Sequence, residues 1–491
     1  MHGFTSRGSF VPDGIYASEG RFGRLLPVLD ARQPTGSGPA QTLGAPGGPM
    51  DAGLDDVKNA SETLAAGFTF LAQFIDHDLD FDPTSSLERQ SDPAAIANFR
   101  TPAFDLDNVY GTGPSGSPQI YDMSALSEGA KLFVGDTDLA RSSQGTALIG
   151  DPRNDENMII SQLELAFMKA HNGIVDGLRS HAFMDVYGAP AGTNRDTDGG
   201  ENTVFLAAQQ LLRWHYQWMI VHEFLPKLCG DAVVDDVIGN GPQFFRPSKL
   251  RQPFIPVEFS VAAYRFGHAT VRSQYVVNSA KTLPLFPTDP NASKTPRTDL
   301  RGGPVSPEFA IDWTNFFDFG SEKTAQRARR IQPLLNTLLL DLPTGVIPKN
   351  IPPERRSLAT RNLLRSEALM VPSGQDVARA LGAVEILSAA DLRAVARNAG
   401  NATLPMFDED LASTYLWYYL LAEAYEQTGG ERLGETGARI VAEVFIGLLN
   451  ADALSYRNMF PRWKPTLPSA RPGTFGITDL LELAGVVAVH A

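Results

Sequence analysis

The chain has 491 residues, of which 43% are hydrophobic and 20% are charged, and its formal net charge is −14. This composition is typical of a globular protein and excludes a disordered or fibrous chain. The acidic balance argues against a general binder of nucleic acids or anionic membranes, because both attract positive surfaces. The single cysteine, Cys229, excludes an internal disulfide and a metal site held by four cysteines.

The first residues, MHGFTSRGSF, contain neither an apolar core nor a small-residue cleavage site, so we expect no secretory signal. No apolar run reaches about 18 residues, so we expect no membrane-spanning helix. These features predict a soluble protein that is cytoplasmic or is exported by a non-classical route.

Residues 1–50 are rich in glycine and proline and predict an extended N-terminal arm with little regular structure. No convincing boundary follows, so residues 51–491 are predicted to form one large domain. Apolar residues at helical spacing predict that helices dominate this domain, while strand-forming segments are few and short. The expected fold class is therefore mainly α.

The first long helices are predicted to begin near Ser61, Glu156, Val204 and Val261. Ser61 and Asp155 are N-cap candidates for the first two, and the third is expected to end near Pro226. Later helices are predicted over 324–342, 354–369, 414–427 and 437–453. Short strands are predicted over 245–250, 254–259 and 274–278.

The segment FLAQFIDHDLDFDP places His77 between Asp76 and Asp78 at the end of an apolar helix. A solvated acidic helix end is the ordinary interpretation, but the apolar helix indicates that this end lies inside the protein, where carboxylates need cations or hydrogen bonds. Farther along, RTPAFDLDNVYGTG carries the alternating oxygen side chains of Thr101, Asp105 and Asp107. Such a loop suits a hard cation, and we predict a calcium site there with Asp78 as a further ligand.

DHDLDF followed by a loop ending in VYG resembles the animal haem peroxidases of the peroxidase–cyclooxygenase superfamily, in a bacterial-type branch. GDPRNDEN, from Gly150, is similar to the GDxRxxE segment of that family, and AAYRFGHA, from Ala262, is similar to its proximal FRxGH motif. LATRNLLRSEALMVP, from Leu358, resembles a later family segment. The resemblance covers roughly residues 20–465 and implies the large, single-domain helical fold of the family, with haem b as the cofactor.

On the distal side of the haem, the resemblance implies that His77 is the base that takes a proton from hydrogen peroxide and returns it to the leaving oxygen. Arg153 would polarise the O–O bond and stabilise the departing hydroxide. Gln73 matches the position that contacts a distal water or halide in the family. These roles imply a peroxidase that works through a ferryl compound I.

On the proximal side, the resemblance implies that His268 is the iron ligand and that Asn362 binds its other ring nitrogen. Arg265 would pair with a haem propionate. Asp76 and Glu156 match the carboxylates that form ester bonds to haem methyl groups in mammalian members.

The resemblance also implies which residues bind calcium. They are Asp78, Thr101, Asp105 and Asp107, together with the carbonyl oxygen of Ala103.

The sequence departs from the family pattern at Asn157 and after Arg365, and the first departure narrows the expected substrates. Asn157 stands where the strongest chloride-oxidising relative has a methionine linked to haem, so iodide, bromide, thiocyanate or small aromatic donors are the expected substrates. RSEALM, from Arg365, replaces the RSRDHG run of the family, which weakens the match around Asn362. Small molecules are the expected partners, and we expect a monomer that binds no nucleic acid.

Two alternatives stay open. The first is a haem-dependent fatty-acid dioxygenase, which usually has a tyrosine three residues before the proximal histidine. Arg265 occupies that position, and Tyr264 falls at the wrong offset. The second is a non-enzymatic, calcium-stabilised interaction protein that has lost haem, against which the joint presence of His77, Arg153 and His268 argues.

Overall fold

Long helices with buried faces form the body of the molecule. The computed structural model describes residues 20–32, 38–81, 97–190, 203–247, 253–287, 297–343, 346–347, 350–400, 404–406 and 408–487. The longer helices are α2 (Gly67–Leu79), α5 (Met158–Arg179), α6 (Thr203–Met219), α8 (Asp231–Asn240), α11 (Leu358–Ala368), α12 (Gly374–Ala380), α13 (Ala389–Ala399), α15 (Leu416–Thr428), α16 (Glu435–Ala451) and α18 (Ile477–Leu483).

Shorter helices connect or extend the long ones. They are α1 (Pro39–Gly44), α3 (Asp107–Tyr110), α4 (Gly113–Gly116), α7 (Leu225–Cys229), α9 (Val257–Ser260), α10 (Gly267–Thr270), α14 (Asp408–Ala412) and α17 (Tyr456–Met459). Single 3-10 turns cover Pro118–Ile120, Pro152–Asp155, Ala263–Phe266, Pro307–Phe309, Trp313–Asn315, Thr337–Leu339 and Pro353–Arg355. Among the described residues, no helix is both long and apolar enough to cross a membrane.

Within the described ranges, the strands are short and form three small sheets. They are β1 (Gly20–Gly23), β2 (Ala60–Ala65), β3 (Ala97–Asn98), β4 (Ile255–Pro256), β5 (Gln274–Asn278), β6 (Lys281–Pro284) and β7 (Arg327–Arg329). β1 pairs antiparallel with β3 and parallel with β4, β2 pairs antiparallel with β7, and β5 and β6 form an antiparallel hairpin. The mainly α fold predicted from the sequence is therefore confirmed.

Three helices meet at an aromatic contact in the core. Phe74 of α2 stacks on Phe167 of α5 with ring centroids 4.2 Å apart, and Tyr216 of α6 packs edge-on against Phe167 at 5.8 Å. All three side chains are fully buried. Because aromatic side chains bury large apolar areas, this contact fixes α2 on α5 and α6.

Several predicted helix boundaries are wrong. Ser61 lies in β2, and the helix begins later, at Gly67. Asn157, not Asp155, caps α5 by accepting a hydrogen bond from the Ile160 amide at 2.9 Å. Asp155 ends the preceding 3-10 turn and pairs with Arg141.

Pro226 does not end the third helix. A π-helical turn, Ile220–Phe224, follows α6 and leads into α7, where Pro226 lies in the first turn. Helical structure therefore continues to Cys229.

Two predicted helices are replaced by other structure. The segment 324–342 contains β7 and a 3-10 turn, because Arg327–Arg329 pairs with the distant strand β2. The helix predicted from Val261 is reduced to the 3-10 turn Ala263–Phe266 and the single turn α10. The helices predicted over 354–369, 414–427 and 437–453 are confirmed as α11, α15 and α16.

The predicted strands have mixed outcomes. The strand over 274–278 is confirmed as β5, and only Ile255–Pro256 of the segment 254–259 is extended. The segment 245–250 lies partly outside the described residues. Within the predicted N-terminal arm, the structure describes β1 and α1, and Leu43 and Met50 are fully buried.

Candidate active site

One partly open cavity of about 610 Å³ contains most of the residues singled out from the sequence in its wall. Its wall includes Gln73, Asp76, His77, Arg153, Glu156, Arg265, His268 and Asn362. They come from α2, from the segment that leads into α5, from the turns before β5 and from α11. Long-range packing therefore brings together residues that are up to about 290 positions apart in the chain.

His77 is held as a neutral imidazole in the cavity wall. Its side chain is only 5% exposed, and its Nδ1 lies 2.6 Å from Oδ1 of Asn154. Burial, assisted by the positive charge of Arg153, lowers the pKa of His77 to about 3. A neutral imidazole at ordinary pH can accept a proton, as a general base must.

Arg153 is oriented by a buried carboxylate. Its Nη2 donates to the His77 carbonyl oxygen at 3.0 Å and to Asp151 at 2.8 Å, and its guanidinium lies over the Phe81 ring at 4.5 Å. Arg100 donates to the same carboxylate through Nε at 2.9 Å. Asp151 is fully buried between the two arginines, which hold its pKa below the ordinary range despite burial.

Gln73 and Glu156 form a second polar contact in the wall. The Gln73 side-chain amide donates to the Glu156 carboxylate, and Asn157 donates to the Gln73 oxygen at 3.3 Å. Burial raises the pKa of Glu156 to about 7. Glu156 therefore gains a proton at higher pH than a solvated glutamate.

His268 is the second neutral histidine of the cavity. The side-chain amide of Asn362 lies 2.7 Å from its Nδ1, and the Trp417 ring packs edge-on at 6.2 Å. Burial lowers the pKa of His268 to about 3, and the charge of Arg265 adds to this effect. Since Nδ1 is engaged by the amide, Nε2 is the ring nitrogen available for another ligand.

Arg265 and Asp76 face each other in the same wall. Arg265 Nη1 lies 3.6 Å from Asp76 Oδ2, and Trp417 donates to the Arg265 carbonyl oxygen at 3.1 Å. The arginine is therefore fixed at both its backbone and its side chain. Its positive charge lies beside the Asp76 carboxylate in the cavity wall.

A cluster of three buried aspartates includes Asp78, which directly follows His77 in α2. Carboxylate oxygens of Asp78, Asp105 and Asp107 all lie within 4.8 Å of one another. Asp78 Oδ2 and Asp107 Oδ1 are buried and accept no hydrogen bond from the part of the chain that the structure describes. Burial and mutual repulsion raise the pKa values of Asp78 and Asp107. Three carboxylates so close together need a cation or protons, and this donor set suits calcium.

The loop that carries two of these aspartates is tightly held. Leu106 adopts a left-handed backbone conformation with φ of 60°, which is uncommon for a residue other than glycine. Arg213 of α6 donates to the Asp105 carbonyl oxygen, and Gln217 donates to the Phe104 carbonyl oxygen at 3.0 Å. Asn108 donates to the Phe74 carbonyl oxygen at 3.2 Å, which ties the loop to α2.

Thr101 and Ala103 lie at the start of the same loop. The Thr101 amide donates to Asp107 Oδ2 at 3.3 Å, and the Ala103 amide donates to the Thr101 carbonyl oxygen at 2.7 Å. Both predicted ligands therefore belong to the loop that forms the aspartate cluster.

Arg100 connects the aspartate cluster to the cavity. Its Nη1 lies 3.6 Å from Asp107 Oδ1, while its Nε donates to Asp151. The two loops approach so closely that a Cβ atom on Gly150 would lie 2.4 Å from the Asn108 carbonyl oxygen. Glycine is therefore required at this contact.

Four supporting residues were missed by the sequence interpretation: Arg100, Asp151, Asn154 and Glu164. Asp151 and Asn154 lie inside the GDPRNDEN motif, which already indicated that this segment belongs to the site. Glu164 lies in the largely apolar sequence of α5, where a single glutamate has no distinctive pattern. The contacts of Arg100 depend on tertiary structure alone.

Comparisons with known proteins bear on the family and the fold. The family model described as animal haem peroxidase matches residues 83–463. Peroxidase A from Dictyostelium discoideum is similar in structure with a TM-score of 0.63 at 15% identity, over 99% of this chain and 98% of that one. No curated protein matches significantly.

Two plant enzymes share the fold as well. The fatty acid alpha-dioxygenase from Oryza sativa, in a variant form with palmitic acid, gives a TM-score of 0.56 at 16% identity, covering 87% of this chain and 76% of that one. The fatty acid alpha-dioxygenase from Arabidopsis thaliana gives a TM-score of 0.53 at 15% identity, covering 85% of this chain and 71% of that one.

The match over most of its length shows that the chain belongs to the animal haem peroxidase family, within the peroxidase–cyclooxygenase superfamily of haem oxidoreductases. Family membership implies haem binding, and the cavity fits that group. It offers a neutral imidazole in His268, the cation Arg265, and apolar wall residues such as Leu339, Leu342 and Leu358.

Replacing Asp151 by asparagine tests the buried ion pairs behind Arg153. The change removes the charge that two arginines share, so we expect the free energy of unfolding to fall by about 3 kcal/mol at pH 7. Because the pKa of Asp151 is depressed in the folded state, its stabilisation is present above about pH 4 and declines below it. Urea denaturation at pH 7 and pH 3 should show a smaller deficit at pH 3.

Asp176→Asn is the matched control for this measurement. Asp176 pairs with Lys131 at the surface and is 62% exposed. Its replacement should change the free energy of unfolding by less than about 1 kcal/mol. Equal deficits for the two variants would contradict the role given to Asp151.

Proposed function

We propose that the protein is a haem peroxidase that uses hydrogen peroxide to oxidise iodide, bromide, thiocyanate or small aromatic donors. The observation that carries this proposal is that a neutral His77 and an oriented Arg153 share one cavity with the His268–Asn362 pair. Haem bound there would supply the redox chemistry. The side chains of this chain would supply proton transfer, orientation and charge stabilisation.

His77 has the features of the proton-transfer group. Its Nδ1 faces the oxygen of Asn154, so its Nε2 carries the lone pair that can take a proton from hydrogen peroxide. The same nitrogen then returns the proton to the departing oxygen. Arg153, next to it, would stabilise the negative charge that develops on that oxygen.

His268 and Asn362 have the features of a metal ligand and its supporting group. The structure places the amide nitrogen of Asn362 2.7 Å from Nδ1. Turning the amide by 180° would let its oxygen accept the Nδ1 proton and would leave Nε2 as the electron-rich ligand. The depressed pKa of His268 keeps the ring unprotonated, as ligation requires. Arg265 would then pair with a propionate of the bound haem.

Histidine replacements test these assignments. His268→Ala should abolish the Soret band of the purified protein, because it removes the iron ligand. His77→Ala should keep the Soret band but slow the reaction with hydrogen peroxide by roughly 10²- to 10⁴-fold, as expected for loss of a general base. His222→Gln, which changes a histidine outside the cavity, is the control for both.

Stopped-flow absorbance would measure both effects. An unchanged Soret band in His268→Ala would refute the ligand assignment. Wild-type rates in His77→Ala would refute the distal assignment.

A fatty-acid dioxygenase is the second candidate function. Tyr264 lines the cavity, and its buried hydroxyl has no hydrogen-bond partner among the residues that the structure describes, so it is available for other chemistry. The position three residues before His268 is nevertheless Arg265, which is paired with Asp76. Oxidation of iodide or guaiacol with peroxide, compared with oxygen uptake on a polyunsaturated fatty acid, distinguishes the two enzymes. A protein without a Soret band would instead agree with the non-enzymatic alternative.

We also propose that calcium binds the aspartate cluster, with ligands from Asp78, Thr101, Ala103, Asp105 and Asp107. The two carboxylate oxygens that accept no hydrogen bond from the described part of the chain support this proposal. Calcium would offset the repulsion that raises the pKa values of Asp78 and Asp107. It would also secure the helix that carries His77.

Chelation tests the calcium proposal. Calcium at about a hundredfold excess over its Kd should add roughly 2.7 kcal/mol to the free energy of unfolding, which would appear as a higher Tm. EGTA should reverse the gain, and Asp107→Asn should reduce the response to calcium. A Tm that is unaffected by both EGTA and calcium would overturn the proposal.

Asp76 and Glu156 are proposed to form ester bonds with haem after exposure to peroxide. Both carboxylates line the cavity, where a carboxyl oxygen would bond to a haem methyl carbon. The methyl group would lose one C–H bond in a two-electron oxidation by hydrogen peroxide, so that a carboxylic acid, a methyl group and one peroxide would give the ester and two waters. After peroxide treatment, haem should therefore resist extraction into acidified butanone. The double replacement Asp76→Asn with Glu156→Gln should release it fully, and full release from the wild-type protein would reject the proposal.

A further inference from the structure

A buried chain of hydrogen bonds leads from His77 into helix α5. Oδ1 of Asn154 lies 2.6 Å from His77 Nδ1, and the Asn154 amide nitrogen donates to Glu164 Oε2 at 2.8 Å. Asn154 and Glu164 are both fully buried. The chain therefore joins the cavity wall to a carboxylate that does not itself line the cavity.

The donor and acceptor groups of Glu164, Asn154 and His77 determine which of them donates each hydrogen bond. The Asn154 amide nitrogen donates to Glu164 Oε2, which can accept whether the glutamate is ionised or protonated, because a carboxylic acid keeps an acceptor oxygen. The amide oxygen must then face His77 and accept its Nδ1 proton. As a result, Nε2 of His77 carries the lone pair.

Glu164 differs from other buried glutamates of the molecule. Glu258 accepts backbone amides from Leu25 and Leu26, and Glu423 accepts the backbone amides of Thr436 and Gly437. These two glutamates tie chain segments together. Glu164 Oε1 is buried and has no hydrogen-bond partner among the described residues.

The location of Glu164 is costly for a carboxylate. Burial raises its pKa to about 8, and the nearby charge of Asp151 adds to that effect while Arg100 opposes it. A side chain that costs free energy and ties no backbone segment in place is expected to have a role beyond folding. Glu164 accepts a hydrogen bond from the amide nitrogen of Asn154, and the amide oxygen of Asn154 faces His77.

We propose that Glu164 is a positioning residue that acts through Asn154 to hold His77 in the tautomer with a proton on Nδ1. This tautomer keeps Nε2 of His77 free as a proton acceptor at the cavity. The tautomer can be measured without any peroxidase activity. Only the identity of the proton donor, hydrogen peroxide, rests on the proposed function.

The direct test is the tautomer of His77, measured by ¹⁵N NMR on the full chain labelled at histidine nitrogens. His77→Gln identifies the His77 signals by their loss. The wild-type protein should show the Nδ1-protonated form alone. Glu164→Gln should give a mixture of tautomers, because a glutamine amide can donate to Asn154 and turn its amide around.

A rescue variant separates positioning from a structural effect. Asn154→Asp combined with Glu164→Gln provides a carboxylate that accepts from His77 Nδ1 and an amide that can donate to it. This double variant should restore the Nδ1-protonated form. Glu423→Gln neutralises a buried glutamate that is not part of the hydrogen bonds between His77, Asn154 and Glu164, so it should leave the His77 tautomer unchanged.

Kinetics on the haem-loaded protein provide the second readout. Glu164→Gln should slow the reaction with hydrogen peroxide by roughly 10- to 100-fold, a range typical of supporting groups, and the double variant should recover most of the rate. A single Nδ1-protonated tautomer in Glu164→Gln would overturn the inference whatever the rates. A wild-type protein that shows this tautomer but does not react with peroxide would support the inference and refute the proposed function.

Discussion

Burial of the polar end of helix α2 is the constraint on which the rest of the site depends. His77 and Asp78 are neighbours in the chain, and both are buried at the end of a helix whose other residues are mostly apolar. His77 lines the cavity, while Asp78 belongs to the aspartate cluster. Each needs partners in place of water, and the surrounding loops supply them.

Electrostatics links the two sides of this helix end. Asp151 sits between Arg153, next to the cavity, and Arg100, next to Asp107. Arg100 offsets part of the negative charge of the aspartate cluster, since its Nη1 lies 3.6 Å from Asp107 Oδ1. The cavity and the cluster therefore share one network of charged groups through Arg100 and Asp151.

The residues proposed for the chemistry lie in short motifs, so His77, Arg153 and His268 could be located from the sequence. Their position in the wall of one cavity depends on long-range packing. The supporting partners were harder to foresee. Glu164 is separated from Asn154 by ten residues, and nothing in the helical pattern of α5 indicates that it contacts the partner of His77.

The errors in secondary structure have a related cause. The segment that contains Arg327–Arg329 has helix-forming residues, but it pairs with β2, more than 260 residues earlier in the chain. Ser61 is predicted to cap a helix, yet it lies in β2 and its hydroxyl donates to Glu431, 370 residues farther along the chain. Local propensity could not report either of these tertiary contacts.

We propose that His77, Arg153 and His268 serve one bound haem that reacts with peroxide. The measurement that decides this proposal is the absorption spectrum of the haem-loaded protein, recorded before and within milliseconds after addition of hydrogen peroxide. The Soret band should change rapidly with peroxide and recover when iodide or guaiacol is added. A missing Soret band, or one that peroxide leaves unchanged, would contradict it.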